Sequence, residues 1–306
     1  MRPKFSIFIS KPSIKEKIKK FIFKKNLDGP KSLIENLKIG LKKNNINFSI
    51  NPKKIQKNQI CWVINDRNKL KELINLKKKI KFNLIAGPNI SILPTDYDNL
   101  LIDDNINCVI VPSLWVKKLY LEASRNKLKN KILIWPIGVD ETYWKIKKTK
   151  KNVDFLIYNK NNFKIRMINK ITTFFRNKNI SFKIIKYGSY FKAEYLNLLS
   201  KSKYLIFFSK SESQGIACFE SWSADVPIIA YRYEKKYLAK FKQKSEVCPY
   251  LSRSNGYYFN NLRDFRKIIF ELNKNKKIFT PRKWLLKKFN LKINIKNLFL
   301  NVKKFC

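Results

Sequence analysis

Two carboxylates eight positions apart, Glu212 and Glu220, bracket a stretch of the chain whose residue types suit an anion and a polyol together. Between them, Gly215 lets the backbone come close to a ligand. Gly215, Ile216 and Ala217 open a helix-compatible run, where free N–H groups favour an anion such as a diphosphate. Glu212 in the loop and Glu220 on the helix are placed to accept hydrogen bonds from sugar hydroxyls. A nucleotide sugar carries both kinds of group.

The elements that must position these residues are legible around them. The apolar run 204–208 is short enough for a buried strand, a polar glycine-containing turn follows it, and residues 216–224 are compatible with a helix. Val226-Pro227 forces an extended backbone, and residues 228–231 supply the next strand, so the segment closes as a parallel crossover. The plain structural alternative is a buried crossover in which Glu212 caps the helix and Glu220 is solvated.

Taken together, Ser209, Glu212, Gly215, Ala217, Glu220, Ala224 and Val226-Pro227 resemble the signature of retaining glycosyltransferases with the GT-B fold, the group 1 or GT4-like family. That signature is a glutamate, seven residues and a second glutamate. The resemblance implies an α/β fold of two Rossmann-like domains with parallel sheets and a cleft between them. It also implies transfer of a sugar from a nucleotide sugar to a glycan or lipid-linked acceptor in surface polysaccharide or glycolipid synthesis, with retention and without a metal or other cofactor. In this reading Glu212 faces the transferred sugar as the catalytic candidate and Glu220 binds the ribose. Ser213, Gln214, Gly215, Ile216 and Ala217 hold the diphosphate. Lys160 and Lys164 follow the first strand of the second domain, where relatives carry a basic pair on the diphosphate, and Lys210 beside Glu212 is a reserve candidate. Each lysine also has an ordinary reading as a solvated charge.

On the acceptor side, Gly29 stands where the family has a glycine-rich loop between first strand and first helix, reduced here to Gly29-Pro30. Gly87 and Asn89, in Ala86-Gly87-Pro88-Asn89, and Ser113, after Val111-Pro112, sit just past strand ends, the edge where open α/β sheets bind ligands. Ordinary turn chemistry explains them equally well. Relatives often place a first-domain histidine near the sugar; this chain has no histidine, which leaves its acceptor side without a named catalytic group.

Apolar runs at 4–10, 60–65, 82–86, 107–111 and 132–135, then at 153–158, 182–187, 204–208, 228–231 and 257–259, alternate with helical or polar stretches. That alternation predicts parallel α/β sheets. Pro136-Ile137-Gly138-Val139-Asp140 resembles the turn that closes the family's first domain. The expected division is 1–145 for an acceptor-side domain, 146–285 for a nucleotide-sugar domain, and 286–306 for a terminal helix crossing back. Residues 145–152 read as a basic hinge.

The chain has 306 residues, 44% of them apolar, enough for two cores. Lys and Arg number 67 against 21 Asp and Glu, a net charge of +46 that on its face suggests a polyanion partner. Over-use of Lys, Asn, Ile, Phe and Tyr beside 7 glycines matches an AT-rich coding bias, so much of that charge is solvated surface. The main alternative is a basic nucleic-acid-binding protein, but no recognised module is found and a specific nucleic-acid partner is not expected. A second alternative is a GT-B protein that serves as a non-catalytic subunit, against which the presence of both Glu212 and Glu220 argues. The absence of histidine excludes a Ser-His-Asp triad and any His-ligated metal. Asp96-Tyr97-Asp98 matches a metal-binding D-x-D triplet, but one that lies in a polar turn beside Pro94.

Five cysteines with no C-x-x-C pair predict a reduced cytoplasmic protein. No stretch has the length of a transmembrane helix, and the first apolar run is too short for a signal peptide core. Ile14, Ile18, Phe21 and Ile22 among six lysines make a greasy and a basic face. The preferred reading packs this segment on the domain; the other docks it peripherally on an anionic inner-membrane surface.

Overall fold

The computed structural model describes residues 5–10, 29–146, 150–274 and 279–305. The segment 14–22 and part of the expected hinge lie outside them. Two parallel sheets account for all of the described strands longer than a bridge. The first has six strands: β1 (Phe5–Ile9), β2 (Ser49–Ile50), β3 (Ile60–Ile64), β4 (Asn83–Ala86), β5 (Cys108–Val111) and β6 (Ile132–Ile134), in the order β2-β1-β3-β4-β5-β6. The second has five: β7 (Val153–Asn159), β8 (Phe182–Lys186), β9 (Ser202–Phe208), β10 (Ile228–Tyr231) and β11 (Gly256–Phe259), in the order β11-β10-β9-β7-β8.

The inner strands are continuous apolar runs because helices cover both sheet faces. Cys61, Trp62, Val63 and Ile64 of β3 are all fully buried, as are Leu205, Ile206 and Phe208 of β9. Around the first sheet lie α1 (Gly29–Lys43), α2 (Arg67–Lys77) and α3 (Leu114–Ala123). Asp66 caps α2, its carboxylate accepting from the Lys69 N–H at 2.9 Å. Around the second lie α4 (Ile165–Asn177), α5 (Lys192–Lys201), α6 (Ile216–Ser223) and α7 (Leu262–Lys274).

Two terminal helices, α8 (Pro281–Phe289) and α9 (Leu291–Val302), follow. Proline suits the first turn of α8, where its missing N–H costs nothing. Asn290 caps α9 by accepting from the N–H groups of Lys292 and Ile293. Helix α9 returns to the first sheet: Leu291, Ile295, Leu298 and Val302 share a core with Leu33, Leu37 and Leu41 of α1 and with Trp62 and Trp135. Burying each such aliphatic side chain stabilises by about 1.5–3 kcal/mol before ordering entropy is counted. Gly40 and Gly138 permit the close approach, since a Cβ on Gly138 would lie 2.5 Å from the Phe289 carbonyl oxygen. The Asn294 amide secures the same contact, donating to the Pro136 carbonyl at 2.9 Å and accepting from the Gly138 N–H at 3.3 Å.

Candidate active site

Strand β7 is flanked by β8 on one side and β9 on the other, so the chain leaves it in one direction and returns across it in the other. The carboxyl ends of β7 and β9 therefore form a topological switch point, the crevice where such sheets bind ligands. Lys160 follows β7 directly, and the loop carrying Ser209 and Glu212 follows β9. These loops face the ends of β4 and β5 across a cleft of about 190 Å³. The cleft is walled by Gly29, Leu33, Pro88, Asn89 and Pro112 on one side, and by Lys160, Tyr187, Glu212, Ser213, Gly215, Ile216 and Ala217 on the other.

Glu212 and Lys160 form the charged centre. Glu212 Oε1 accepts from Lys160 Nζ at 2.8 Å and from Ser209 Oγ at 2.8 Å. Burial by itself would lower the Lys160 pKa, but the adjacent Glu212 carboxylate overrides it and holds the ammonium above its ordinary value. Trp115 Nε1 donates to the Glu212 carbonyl at 2.9 Å, fixing the loop against the first domain. Gly215 caps α6 with φ +82°, a left-handed backbone that glycine adopts without the strain an L side chain incurs. No side chain caps this helix, so its first N–H groups open on the cleft without intrahelical carbonyls.

Glu220 lies one chamber further in, a space of about 50 Å³ shared with Ser32, Trp144, Tyr190 and Lys192. Burial pushes its carboxyl up to about 8, against the pull of the Lys192 ammonium, and Glu35 adds to the rise. Lys192 also reaches across to α1, its Nζ 3.8 Å from Glu35 Oε2. Tyrosines form the chamber's floor: the Tyr158 and Tyr190 hydroxyls are 2.9 Å apart, and the Tyr195 hydroxyl donates to the Ala217 carbonyl at 3.1 Å.

The residues singled out from the sequence thus divide. Glu212, Lys160, Ser213, Gln214, Gly215, Ile216, Ala217, Gly29 and Asn89 line the cleft, and Glu220 and Gly29 line the inner chamber. Gln214 reaches the cleft wall, yet its side-chain amide is bonded to Ile137 and is not available to a ligand. Lys164 stands elsewhere, its Nζ 5.5 Å from the Tyr233 ring centroid, and Lys210 is exposed outside the cleft. Gly87, with φ +93°, brings its backbone against the Ile110 carbonyl and leaves the cleft wall to Pro88 and Asn89. Ser113 precedes α3 buried, its hydroxyl without a partner and not capping the helix. Asp96 accepts from the Leu93 N–H at 2.8 Å, and Asp98 projects into solvent. Among the described residues no group of three or more Cys, Asp or Glu is placed to hold a metal.

Residues that sequence reasoning missed are Trp144, Tyr187, Tyr190 and Lys192. The segment Tyr187-Gly188-Ser189-Tyr190, just past β8, carried a readable signal: aromatics around a turn at a strand's carboxyl end. Lys192 carried none among so many lysines.

No family model and no curated protein sequence matches the chain. Solved structures do. The lipopolysaccharide outer core galactosyltransferase WaaB, in its apo form, aligns over 97% of this chain and 99% of its own with a TM-score of 0.60 at 12% identity. HepE of Anabaena, solved with UDP and glucose, aligns over 97% and 99% with a TM-score of 0.58 at 9% identity. The fold is GT-B. TarM aligns over 79% of this chain with a TM-score of 0.50 at 15% identity, and this chain spans 54% of TarM and 58% of the GtfA/B chain. At such identities the likeness is one of GT-B architecture: two parallel-sheet α/β domains with a cleft between them. Among the described residues, no helix is long and apolar enough to cross a membrane.

Proposed function

We propose that this protein is a glycosyltransferase that moves a sugar from a nucleotide-sugar donor to a glycan or lipid-linked acceptor, retaining the anomeric configuration and using no metal. The observation that carries this reading is the convergence of Lys160, Glu212 and the open start of α6 on one cleft at the switch point of the second sheet, with Glu220 in the chamber that adjoins it. The diphosphate would lie between the Lys160 ammonium and the first N–H groups of α6, which supply positive potential where the leaving group gathers charge. Glu220 would accept hydrogen bonds from the ribose hydroxyls in the inner chamber, and Glu212 would face the transferred sugar. Solved GT-B relatives include one bound to UDP and glucose, which supports a nucleotide and a sugar in this cleft.

In the transfer, the acceptor hydroxyl oxygen forms a bond to the anomeric carbon. The bond from that carbon to the phosphate oxygen breaks, and its electron pair leaves with the nucleoside diphosphate. The hydroxyl proton passes to that phosphate oxygen, directly or through water. The chain's own contribution is to orient the two substrates and stabilise the departing diphosphate. Residues 1–145 would serve the acceptor and 146–285 the donor, on the cytoplasmic side of the membrane.

The test is a calorimetric titration of the purified protein with UDP, GDP and ADP in EDTA, comparing wild type with Glu220→Ala. Saturable binding of one nucleotide, weakened at least tenfold in the variant, is the expected result. Binding that appears only when manganese is added would overturn the metal-free reading, and no binding under either condition would overturn the donor site itself.

A further inference from the structure

A second chamber of about 200 Å³ adjoins the donor cleft on the side of the first sheet, sharing Pro88, Asn89, Pro112 and Ser213 as a common wall. In a chain of net charge +46, none of the described residues lining it is charged. Its depth is formed by Ile110 and Val111 of β5 and by Val116 and Leu119 of α3, with Ile92 at 62% exposure on its rim. Of the four polar tips beyond its mouth, three are already used by the protein, and the fourth, the Tyr237 hydroxyl, belongs to a ring packed on Trp115. Trp115 Nε1 donates to the Glu212 carbonyl, Tyr120 Oη donates to the Ser91 carbonyl at 2.9 Å, and Ser91 Oγ donates to the Leu93 carbonyl at 2.7 Å. Asn89 and Ser213, both exposed, stand where the chamber meets the donor cleft.

The chamber is therefore amphipathic along its length: hydrogen-bonding groups at the donor end, hydrocarbon beyond. We propose that it receives the apolar part of the acceptor, with the attacking hydroxyl at the Asn89 and Ser213 end and an alkyl or lipid chain running over Val116 and Leu119. This inference rests on the donor-site reading and narrows its acceptor to a glycolipid or other alkyl-linked sugar. An anionic group in the chamber would lose its hydration and find no cation to replace it. A fully hydroxylated glycan would leave hydroxyls facing hydrocarbon, whereas an alkyl chain gains from burial there.

The discriminating experiment measures octyl glucoside, below its micelle concentration, against methyl glucoside, by calorimetry on the full chain saturated with whichever of UDP, GDP or ADP it binds. The expected result is binding of the octyl compound at least tenfold tighter than the methyl one. That margin should collapse in Val116→Trp, which fills the chamber, and in Ile92→Asp, an exposed rim change that does not burden the core, while nucleotide binding is unchanged in Ile92→Asp. Equal binding of the two glucosides with the nucleotide still bound would overturn the apolar chamber and leave the donor site standing. An octyl preference that survives both substitutions would place the hydrocarbon elsewhere and overturn it too. Loss of all nucleotide response in the wild type would instead sink the donor reading beneath it.

Discussion

Gln214 is bonded at both ends of its amide to the backbone of Ile137: Nε2 donates to the Ile137 carbonyl at 2.6 Å, and Oε1 accepts from the Ile137 N–H at 3.1 Å. Gln214 belongs to the loop between β9 and α6 and Ile137 to the turn after β6, and both are buried. The pair pins the loop across the two sheets. Gln214→Leu strands both Ile137 groups, and a buried orphaned polar group costs about 1–3 kcal/mol. Urea denaturation should register that loss, and Gln214→Glu should not restore stability, because it supplies no N–H to the carbonyl.

Lys160→Met removes the cation that holds Glu212. A hydrogen bond to a charged group contributes about 1.5–3 kcal/mol, and the pair is mostly shielded from solvent, so a loss near that size is expected. Nucleoside diphosphate binding should fall at least tenfold while binding of the free nucleoside changes little. Equal weakening of both ligands in calorimetry would show that Lys160 acts by shaping the loop rather than by meeting phosphate.

The Glu220 carboxyl, raised from an ordinary 4.5 to about 8 by burial, sets a pH dependence. Between those values the folded state keeps a proton that the unfolded state has released, so stability falls as pH rises from about 4.5 to 8 and levels off above. Glu220→Gln should flatten that slope in thermal melts. If ribose hydroxyls donate to the ionised form, nucleotide binding releases a proton, measurable as a dependence of binding heat on the buffer's ionisation enthalpy. A proton-neutral binding reaction at pH 7 would argue against ionised Glu220 as the acceptor for the ribose hydroxyls.

Glu122 of α3 accepts from two backbone N–H groups of the segment after β10, Lys242 at 2.7 Å and Gln243 at 3.1 Å. Nearby, Tyr237 lies 5.3 Å from the Trp115 ring, and Leu238 and Phe241 pack on the first domain's core. Glu122→Ala removes both acceptors at a partly exposed site, where net hydrogen-bond contributions are about 0.5–1.5 kcal/mol. Amide hydrogen exchange should quicken across residues 235–245 while β9 and β10 stay protected. Uniform quickening throughout the molecule would mean that the contact supports the whole fold rather than this segment.

The strands and the two-sheet organisation were legible in the sequence because parallel strands buried on both faces must be continuous apolar runs, as at 60–65 and 204–208. Helix α3 and the two-residue β2 escaped notice: Leu114, Trp115 and Leu119 give α3 a weak amphipathic stripe, and β2 is too short to have a period. At the site, the residues following β7 and β9 were readable because strand ends and a glycine turn mark them. Lys164 and Lys210 could not be told from Lys160 by type, since only the left-handed turn at Lys164 and the exposure of Lys210 separate them. The role of Gln214 was hidden for a different reason. Its partner is a backbone group 77 positions away, and backbone partners leave no trace in residue identity.

Helix α9 covers the first sheet although the whole second sheet separates the two along the chain. During synthesis the ribosome delivers β1 to β6 long before residues 291–302, so the nascent first half must wait with Leu33, Leu37 and Trp62 uncovered while the second half emerges. The first half therefore completes its core only after the second has been made. A chaperone that shields this face would be needed most between completion of β6 and arrival of α9, and translational stalling in that interval would leave the apolar face open to aggregation.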